Sequence, residues 1–258
     1  MTAERSARSV TEVLVAGPVP LWIHPEWDVR FPWLVQGTTG RGEGDQPFDL
    51  GLSGSQPVGA ALERWRALSR ACGMTTALHA RQVHRADLFV HRAVPPPGVV
   101  VMDGVDGHLT ALPDLLIAVS VADCVPVSIV EERTRAIALV HSGWRGTAAG
   151  IVEGAVRRLT DEFGADPGEL WLHCGPAICG SCYEVGAEVH TAIYPDRAGP
   201  TGRAPIDLRA AIAQRAVALG VPEDQVTTSS HCTRCGGDRF FSHRGGSAAR
   251  QMGVMGIR

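Results

Sequence analysis

Three residues with metal-binding side chains stand at the borders of apolar segments. His84 precedes the run ADLFVH, Cys124 separates two apolar runs in VADCVPV, and His141 ends the run AIALVH. Two imidazoles and one thiolate are good zinc ligands, and three protein ligands with an open fourth position are typical of catalytic zinc. The residue types therefore predict a catalytic metal site at His84, Cys124 and His141.

Two polar residues next to these ligands are candidates for further roles. Asp123 adjoins the predicted ligand Cys124, and we interpret it as a proton shuttle or as a group that orients a ligand. Arg145 lies in the segment VHSGWRG just before a predicted helix, whose first amides favour an anion. The alternative for Arg145 is an ion pair with a carboxylate, with Trp144 packed in the core.

A second set of cysteines forms two C-x-x-C pairs, Cys179 with Cys182 and Cys232 with Cys235. Four thiolates could hold a structural zinc ion. The two pairs are far apart in the sequence, and a further cysteine, Cys174, lies beside the first pair. We therefore predict that these four cysteines are not all ligands of one second zinc.

The spacing of apolar residues predicts the elements that carry these groups. Helices are predicted over residues 58–72, 148–163 and 208–219. Strands are predicted over residues 86–91, 98–104, 115–122, 125–131, 136–141, 170–175 and 252–257. Several of these strands are apolar without alternation, which is typical of strands covered on both faces. The segment ERTR predicts a hairpin turn, which brings Cys124 and His141 to the same end of a sheet.

The size and composition favour one folded domain. The chain has 258 residues, of which 45% are hydrophobic, so it can bury a sizeable core. We predict a single α+β domain over residues 21–258, with a mixed, largely buried β-sheet and outer helices. Residues 1–20 are predicted to form a loose N-terminal arm.

Net charge and cysteine content indicate which classes of partner the protein binds and in which cellular compartment it is expected. A net charge of −3 gives no reason to expect nucleic acid or a membrane as a partner. The sequence contains no apolar stretch of membrane-spanning length, and its N-terminus does not resemble a signal peptide. Seven cysteines, an odd number, predict reduced thiols or metal ligands in a cytoplasmic protein.

Six short motifs occur in an order that resembles a known family. They are QVH (82–84), ADCVPV (122–127), VHSGWRGT (140–147), CGPAICGSCYEVG (174–186), CT (232–233) and FFSHR (240–244). The sequence resembles the bacterial laccase-domain, or multicopper polyphenol oxidase-like, family of zinc-dependent purine nucleoside phosphorylases, over about residues 34–258. A human macrophage enzyme with a laccase-like domain belongs to the same family.

This resemblance implies a specific activity and fold. Members phosphorolyse adenosine, inosine, guanosine and methylthioadenosine and also deaminate adenosine. The zinc ligands implied by the family motifs are His84, Cys124 and His141, the same three residues that the ligand chemistry selects. The implied fold is similar to the catalytic domain of cytotoxic necrotizing factor toxins. The expected ligands are therefore purine nucleosides and phosphate.

The two ends of the sequence depart from the family pattern. The N-terminal loop reads GTTGRGEGD, in which Arg41 is the candidate for the family's arginine. The C-terminal motif reads SHRGGSAAR, which keeps Arg244 but has Gly245 in place of a second arginine. We expect Arg41, Arg145 and Arg244 to bind substrate, with the two last holding phosphate.

Three alternative functions are compatible with the same residues. A metal-free Cys124–His141 nucleophile pair would make the protein a hydrolase or deamidase. A copper polyphenol oxidase would use copper instead of zinc, although the paired H-x-H motifs of blue-copper oxidases do not occur in the sequence. A peptidoglycan precursor editing factor, a role linked to some family members, would act on cell-wall precursors.

Overall fold

The computed structural model describes residues 7–44, 46–53 and 56–258, and these form four layers. Two seven-stranded sheets pack face to face, and helices cover the outer face of each sheet. The strands are β1 (Arg8–Val10), β2 (Val13–Leu14), β3 (Leu21–Ile23), β4 (Leu34–Thr39), β5 (Thr76–Arg81), β6 (Leu88–Val90), β7 (Gly98–Asp103), β8 (Gly107–Thr110), β9 (Leu115–Val121), β10 (Val125–Glu131), β11 (Ile137–Ser142), β12 (Leu170–Cys174), β13 (Glu184–Val185), β14 (Ala204–Pro205), β15 (Val226–Ser229) and β16 (Gln251–Ile257). The helices are α1 (Pro25–Arg30), α2 (Val58–Cys72), α3 (Trp144–Ala148), α4 (Ile151–Phe163), α5 (Ala187–Ile193) and α6 (Leu208–Ala218).

Both large sheets mix parallel and antiparallel pairs. The first has the strand order β1-β15-β12-β10-β11-β8-β6, and the second has the order β2-β3-β4-β16-β9-β5-β7. Parallel pairs include β12 with β15 in the first sheet and β5 with β9 in the second. The predicted α+β class, with mixed sheet and outer helices, is confirmed. The expectation of one sheet was wrong, because apolar runs identify strands but do not say which strands pair.

Strand β9 shows why its sequence is apolar without alternation. Leu115 and Ile117 pack into the core between the two sheets, and Leu116 and Ala118 pack into the core beneath α2. All four side chains are fully buried. Helix α2 covers this outer face with Trp65, which is also fully buried. The two-faced burial predicted for such strands is therefore confirmed for β9.

The other outer layer consists mainly of α4 and α6, which pack on the first sheet. The helix predicted over residues 148–163 is α4, which begins at Ile151 and ends, as predicted, at Phe163. Residue 148 instead ends the separate short helix α3, and Gly150, whose φ of +78° belongs to the left-handed region, lies between the two helices. That conformation ends one helix and starts the next at a new angle. No helix within residues 7–44, 46–53 and 56–258 is both long and apolar enough to cross a membrane.

The N-terminal segment is part of the sheets. Strand β1 pairs in parallel with β15, and β2 pairs with β3. Between them, Glu12 is only 3% exposed and accepts a hydrogen bond from the Ser229 hydroxyl at 2.8 Å. The loose arm predicted over residues 1–20 is therefore wrong for residues 7–20, and residues 1–6 lie outside the described residues. Backbone pairing and a buried carboxylate hold this segment, and neither produces an apolar pattern in the sequence.

Candidate metal centre

The hairpin of β10 and β11 brings two of the predicted ligands together. Val125 pairs with Ser142 and Pro126 with His141, so Cys124, one residue before β10, lies at the same end as His141. His84 reaches this end from the loop between β5 and β6. Donor atoms of His84, Cys124 and His141 all lie within 4.8 Å of one another. The structure thus brings the three predicted ligands to one point.

Two backbone positions at this point have unusual conformations. His84 has a φ of 59° and Asp123 a φ of 97°, in the region that favours glycine. Such conformations cost about 1–3 kcal/mol each and persist where the surroundings enforce them, often at functional sites. The Asp106 carboxylate enforces the first one, because it accepts hydrogen bonds from the backbone N–H groups of Val83, His84 and Arg85 at 3.2, 2.9 and 2.9 Å.

Asp106 also contacts a predicted ligand directly. Its Oδ1 lies 3.0 Å from His141 Nδ1, and Asp106 is fully buried. A carboxylate on one ring nitrogen fixes the orientation and tautomer of a histidine, which leaves the other nitrogen for a metal. Sequence analysis missed Asp106, because the short strand β8 that follows it was not predicted. The available signal was its place directly before a buried glycine-initiated strand, VDGHLT.

The charges of the site favour an ionised sulfur. Burial raises the pKa of Cys124, but His141 and His84 outweigh it through charge and hydrogen bonding, and the pKa falls to about 6. Burial lowers the pKa of His141, but the Cys124 sulfur and Asp106 raise it to about 9. Near pH 7 these opposite shifts favour a Cys124 thiolate beside a protonated His141. A thiolate is also the form of cysteine that binds metal ions.

Gly143 packs directly against the three ligands. A Cβ atom on Gly143 would lie 3.0 Å from Cys124 Sγ, 3.7 Å from His84 Cδ2 and 3.8 Å from His141 Cε1. The φ of Gly143 is −80°, so the backbone conformation suits any residue and the constraint is space alone. This close approach accounts for the first glycine of VHSGWRG.

A cavity of about 760 Å³ opens onto the metal centre. Its wall includes the predicted ligands and His79, whose Nδ1 has no hydrogen-bond partner among the described residues. Burial lowers the pKa of His79 to about 4, so its ring is neutral near pH 7. This Nδ1 atom is itself buried, so a ligand in the cavity does not reach it in this conformation. Sequence analysis did not single out His79, because a lone histidine in a strand carries no motif.

The carboxylate of Asp123 is fully engaged within the protein. Its Oδ1 accepts a hydrogen bond from the Thr233 hydroxyl at 2.6 Å, and its Oδ2 accepts one from the Arg244 backbone N–H at 2.7 Å. Asp123 is 6% exposed. Of the two roles expected for Asp123, this arrangement favours orientation of the neighbouring Cys124 over proton transfer.

Two of the expected substrate arginines lie near Tyr183. The guanidinium carbon of Arg244 is 5.0 Å from the Tyr183 ring centre, and that of Arg145 is 4.4 Å from the Trp144 ring centre. Burial and the charges of Cys124 and Asp123 raise the pKa of Tyr183, and Arg244 and Arg145 oppose this rise. Cys124 and both arginines are thus within electrostatic range of Tyr183.

The structure corrects two details of the predicted arginine sites. Arg145 does not precede a long helix, because it lies inside the five-residue α3, so the predicted anion site at a helix start does not form. Arg41 lines a different cavity together with Trp22 and Arg239, and its guanidinium lies 3.5 Å from the Asp238 carboxylate. The structure does not bring Arg41 to the metal centre.

The two C-x-x-C pairs also converge. The sulfurs of Cys179, Cys182, Cys232 and Cys235 lie within 4.8 Å of one another. The prediction that they do not share a metal rested on their separation in the sequence. That reasoning was wrong, because the parallel pairing of β12 with β15 places the chain segments after both strands side by side.

A family comparison agrees with this arrangement of motifs. Residues 39–258 match the family model described as multi-copper polyphenol oxidoreductase laccase. The chain belongs to this laccase family. The matched region contains all three predicted metal ligands and both cysteine pairs.

Named relatives of this laccase-family chain are enzymes of purine nucleosides. It is 38% identical over 162 residues to adenosine deaminase RL5 of an unknown prokaryotic organism, covering 59% of each chain. It is 36% identical to a purine nucleoside phosphorylase of Bacteroides thetaiotaomicron, covering 60% of this chain and 58% of the relative. The chain thus spans about three fifths of the length of these two relatives. It is 34% identical to a purine nucleoside phosphorylase of Streptomyces coelicolor, covering 81% of this chain and 88% of the relative.

Solved structures share the fold over nearly the whole length. YlmD from Geobacillus stearothermophilus superposes with a TM-score of 0.84 at 26% identity, covering 96% of this chain and 99% of YlmD. The hypothetical protein YfiH of Bacillus licheniformis superposes with the same TM-score of 0.84 at 24% identity, covering 94% of this chain and 97% of YfiH. The second likeness concerns the fold alone.

Proposed function

We propose that this chain is a zinc-dependent purine nucleoside phosphorylase that also deaminates adenosine. The observation that carries the proposal is the convergence of His84, Cys124 and His141 on one point in the wall of a cavity. The relatives named purine nucleoside phosphorylase and adenosine deaminase support the substrate class. The free cysteines are compatible with a cytoplasmic enzyme.

The donor set suits zinc. Two imidazoles and one thiolate are preferred zinc ligands, and three protein ligands leave a coordination position for catalysis. When bound, zinc acts as a Lewis acid and lowers the pKa of water to about 7. The same His₂Cys set also binds copper in electron-transfer proteins, so metal analysis decides between the two ions. Within the described part of the chain, His and Cys donors converge in two groups, of which the second is four thiols. This supports a mononuclear centre over a multicopper cluster.

The protein groups around the centre have distinct proposed tasks. Asp106 holds His141 in the orientation and tautomer that a metal requires. Asp123 fixes the backbone beside Cys124 through its contacts with Thr233 and Arg244. The cavity volume of about 760 Å³ is within the range of small-molecule sites.

Phosphorolysis also requires cations for the phosphate dianion. We assign this role to Arg145 and Arg244, which lie on the Tyr183 side of the centre. A guanidinium group binds phosphate with charge-assisted hydrogen bonds in a fixed geometry. Arg244 is oriented by two contacts, its backbone N–H with Asp123 and its guanidinium with the Glu184 carbonyl at 3.2 Å.

The experiment is a panel of nucleosides incubated with and without phosphate. Chromatography detects free base, ribose-1-phosphate and inosine, and elemental analysis of the same sample gives the metal. We expect inosine to yield hypoxanthine only with phosphate, and adenosine to yield inosine without it. Equal hypoxanthine formation without phosphate would identify a nucleosidase and contradict the phosphorylase assignment. Turnover of cell-wall precursors but of no nucleoside would favour the peptidoglycan alternative.

One observation supports a second candidate function. The Cys124 thiolate beside the His141 imidazolium, with Asp106 behind it, is the arrangement of a cysteine nucleophile with its base and orienting acid. A hydrolase or deamidase of this type works without metal. Chelator treatment separates the two: loss of activity on zinc removal and recovery on zinc addition support the phosphorylase, and retained activity supports the nucleophile pair.

A further inference from the structure

The cysteine cluster, made of Cys179, Cys182, Cys232 and Cys235, lies outside the candidate catalytic centre. Cys179 and Cys182 bracket a single turn of 3₁₀-helix between β12 and β13. Cys232 and Cys235 follow β15. A parallel bridge between Ala177 and Cys232 aligns the two segments, so that all four sulfurs lie within 4.8 Å of one another.

The spacing of the sulfurs matches a tetrahedral zinc site. Zinc binds thiolate sulfur at about 2.3 Å, and four such sulfurs at the corners of a tetrahedron are about 3.8 Å apart. The Sγ atoms of Cys179 and Cys235, one from each pair, are 3.8 Å apart. This separation is too long for a disulfide bond and suits two ligands of one ion.

Backbone amides point at one of the sulfurs. The N–H groups of Cys179, Arg234 and Cys235 lie 3.3, 3.4 and 3.4 Å from Cys232 Sγ. These three contacts fix the position of the Cys232 sulfur within the cluster.

The loop that carries the second pair is held in place by contacts that do not involve sulfur. The Thr233 N–H donates to the Ala177 carbonyl at 3.1 Å, and the Arg234 guanidinium donates to the Cys182 carbonyl at 3.0 Å. A Cβ on Gly236 would lie 2.3 Å from the Cys232 carbonyl oxygen, so glycine is required for this tight turn. The four thiols are therefore presented by two loops that are fixed against each other.

We propose that the cysteine cluster binds one structural zinc ion, separate from the metal of the catalytic centre. Four protein ligands close the coordination sphere, which is the arrangement of structural and not catalytic zinc. The ion would join the segment after β12 to the segment after β15. Because Thr233 lies between two of the ligands and bonds to Asp123, this zinc would also hold the residue beside Cys124 in place.

Zinc stoichiometry in four proteins tests the proposal. Zinc is measured by elemental analysis after purification under reducing conditions. We expect two zinc ions in the wild type, one in Cys124→Ala, one in Cys235→Ser and none in the double variant. Cys235 is exposed, so its replacement with serine leaves the packing of the core unchanged. The matched control is Cys72→Ala, a buried cysteine of α2, which should keep both ions.

In the Cys124→Ala protein, the zinc ion of the cysteine cluster is the one ion expected to remain, so spectroscopy reports on its ligands alone. X-ray absorption should show a zinc first shell of sulfur alone, and cobalt substitution should give the strong sulfur charge-transfer absorption of a tetrathiolate site. Removal of this ion should lower the Tm by about 5–10 °C, as expected for loss of a few kcal/mol in a chain of this size. This readout does not depend on catalysis.

Two results would overturn the proposal. One is a Cys124→Ala protein that is folded and contains no zinc. The other concerns the wild-type protein and combines two observations. Its mass after purification without reductant shows two disulfides in the cluster, and after reduction it takes up no second zinc ion. A wild type and a Cys124→Ala protein with one ion each would instead support the cysteine cluster and contradict the catalytic metal, so the two proposals fail separately.

Discussion

The Thr233 hydroxyl donates a hydrogen bond of 2.6 Å to the carboxylate of Asp123. Asp123 adjoins the proposed catalytic ligand Cys124, and Thr233 lies between Cys232 and Cys235 of the cysteine cluster. Both residues are buried, with Asp123 6% and Thr233 2% exposed. One side-chain hydrogen bond therefore joins the two groups of candidate metal ligands and gives a physical route by which one supports the other.

Replacement of Thr233 with valine tests this link, because it removes the hydroxyl and keeps the shape. An unsatisfied buried acceptor costs about 1–3 kcal/mol, so the free energy of unfolding in urea should fall by that amount. We expect kcat to fall more than KM changes, since Asp123 positions Cys124. Thr11→Val is the control, because the Thr11 hydroxyl bonds to Ser230 at an exposed site. Unchanged stability and kcat would refute the link.

Replacement of Asp106 with asparagine should weaken metal binding while the protein stays folded. The neutral amide lacks the negative charge that orients His141 and holds the loop of His84. Loss of a carboxylate behind a metal-ligating histidine typically costs about 10- to 100-fold in metal affinity. Competition with a chromophoric chelator measures the Kd for zinc. Asp103→Asn, at an exposed ion pair with Arg81, is the control and should not change it.

Replacement of Gly143 with alanine should crowd the metal centre without unfolding the protein. The new Cβ would lie 3.0 Å from Cys124 Sγ, which forces the sulfur or the turn to move. We expect weaker zinc binding and lower kcat, with a Tm close to that of the wild type. In the control Gly59→Ala, in α2, the new Cβ meets nothing within 4 Å, and the change should slightly raise the Tm. Normal zinc affinity in Gly143→Ala would argue against the assigned ligand position.

Buried histidines should make the protein sensitive to acid. Burial lowers the pKa of His24 and His108 to about 3 and of His79 and His91 to about 4. In the unfolded chain these histidines have pKa values near about 6.5. Between the folded and the unfolded pKa values, the unfolded chain therefore binds more protons than the folded protein does. Their contribution to stability is complete above about pH 6.5 and is lost as the pH falls, by about 1.4 kcal/mol per pH unit for each histidine.

Urea unfolding between about pH 7 and pH 4 measures this effect, because the histidine contribution to the free energy of unfolding decreases within this pH range. His79→Phe removes one of the four histidines together with its unpaired Nδ1. The free energy of unfolding should then fall less steeply with decreasing pH, by the contribution of one histidine. A free energy of unfolding that stays constant as the pH falls through this range would contradict the buried, neutral state of these rings.

Phosphate binding should depend on the two arginines near Tyr183. Arg145→Ala and Arg244→Ala should keep zinc, and at least one should raise the KM for phosphate in inosine phosphorolysis by about 10-fold or more, as expected for loss of a charge-assisted contact. Adenosine deamination needs no phosphate and should be less affected. Arg158→Ala, which removes an exposed ion pair on α4, is the control. Equal loss of both activities in every variant would exclude a phosphate-specific role.

The sequence by itself determined the local elements and the chemical types at the site. Continuous apolar runs predicted β9, β10 and β11, because strands covered on both faces carry no polar side. The turn ERTR predicted the hairpin that brings Cys124 close to His141. The three candidate ligands could be named, since imidazole and thiolate groups at strand ends are metal-binding types wherever the fold places them.

Only the tertiary structure decided how distant segments meet. The parallel pairing of β12 with β15 brings together the two cysteine pairs, although they are far apart in the sequence. The burial of Asp106 and its bond to His141, the unpaired nitrogen of His79 and the short helix α3 before Gly150 were likewise decided there. Each depends on contacts between residues far apart in the chain. Such contacts leave no periodic pattern, because side-chain periodicity reports only which face of an element is covered and not what covers it.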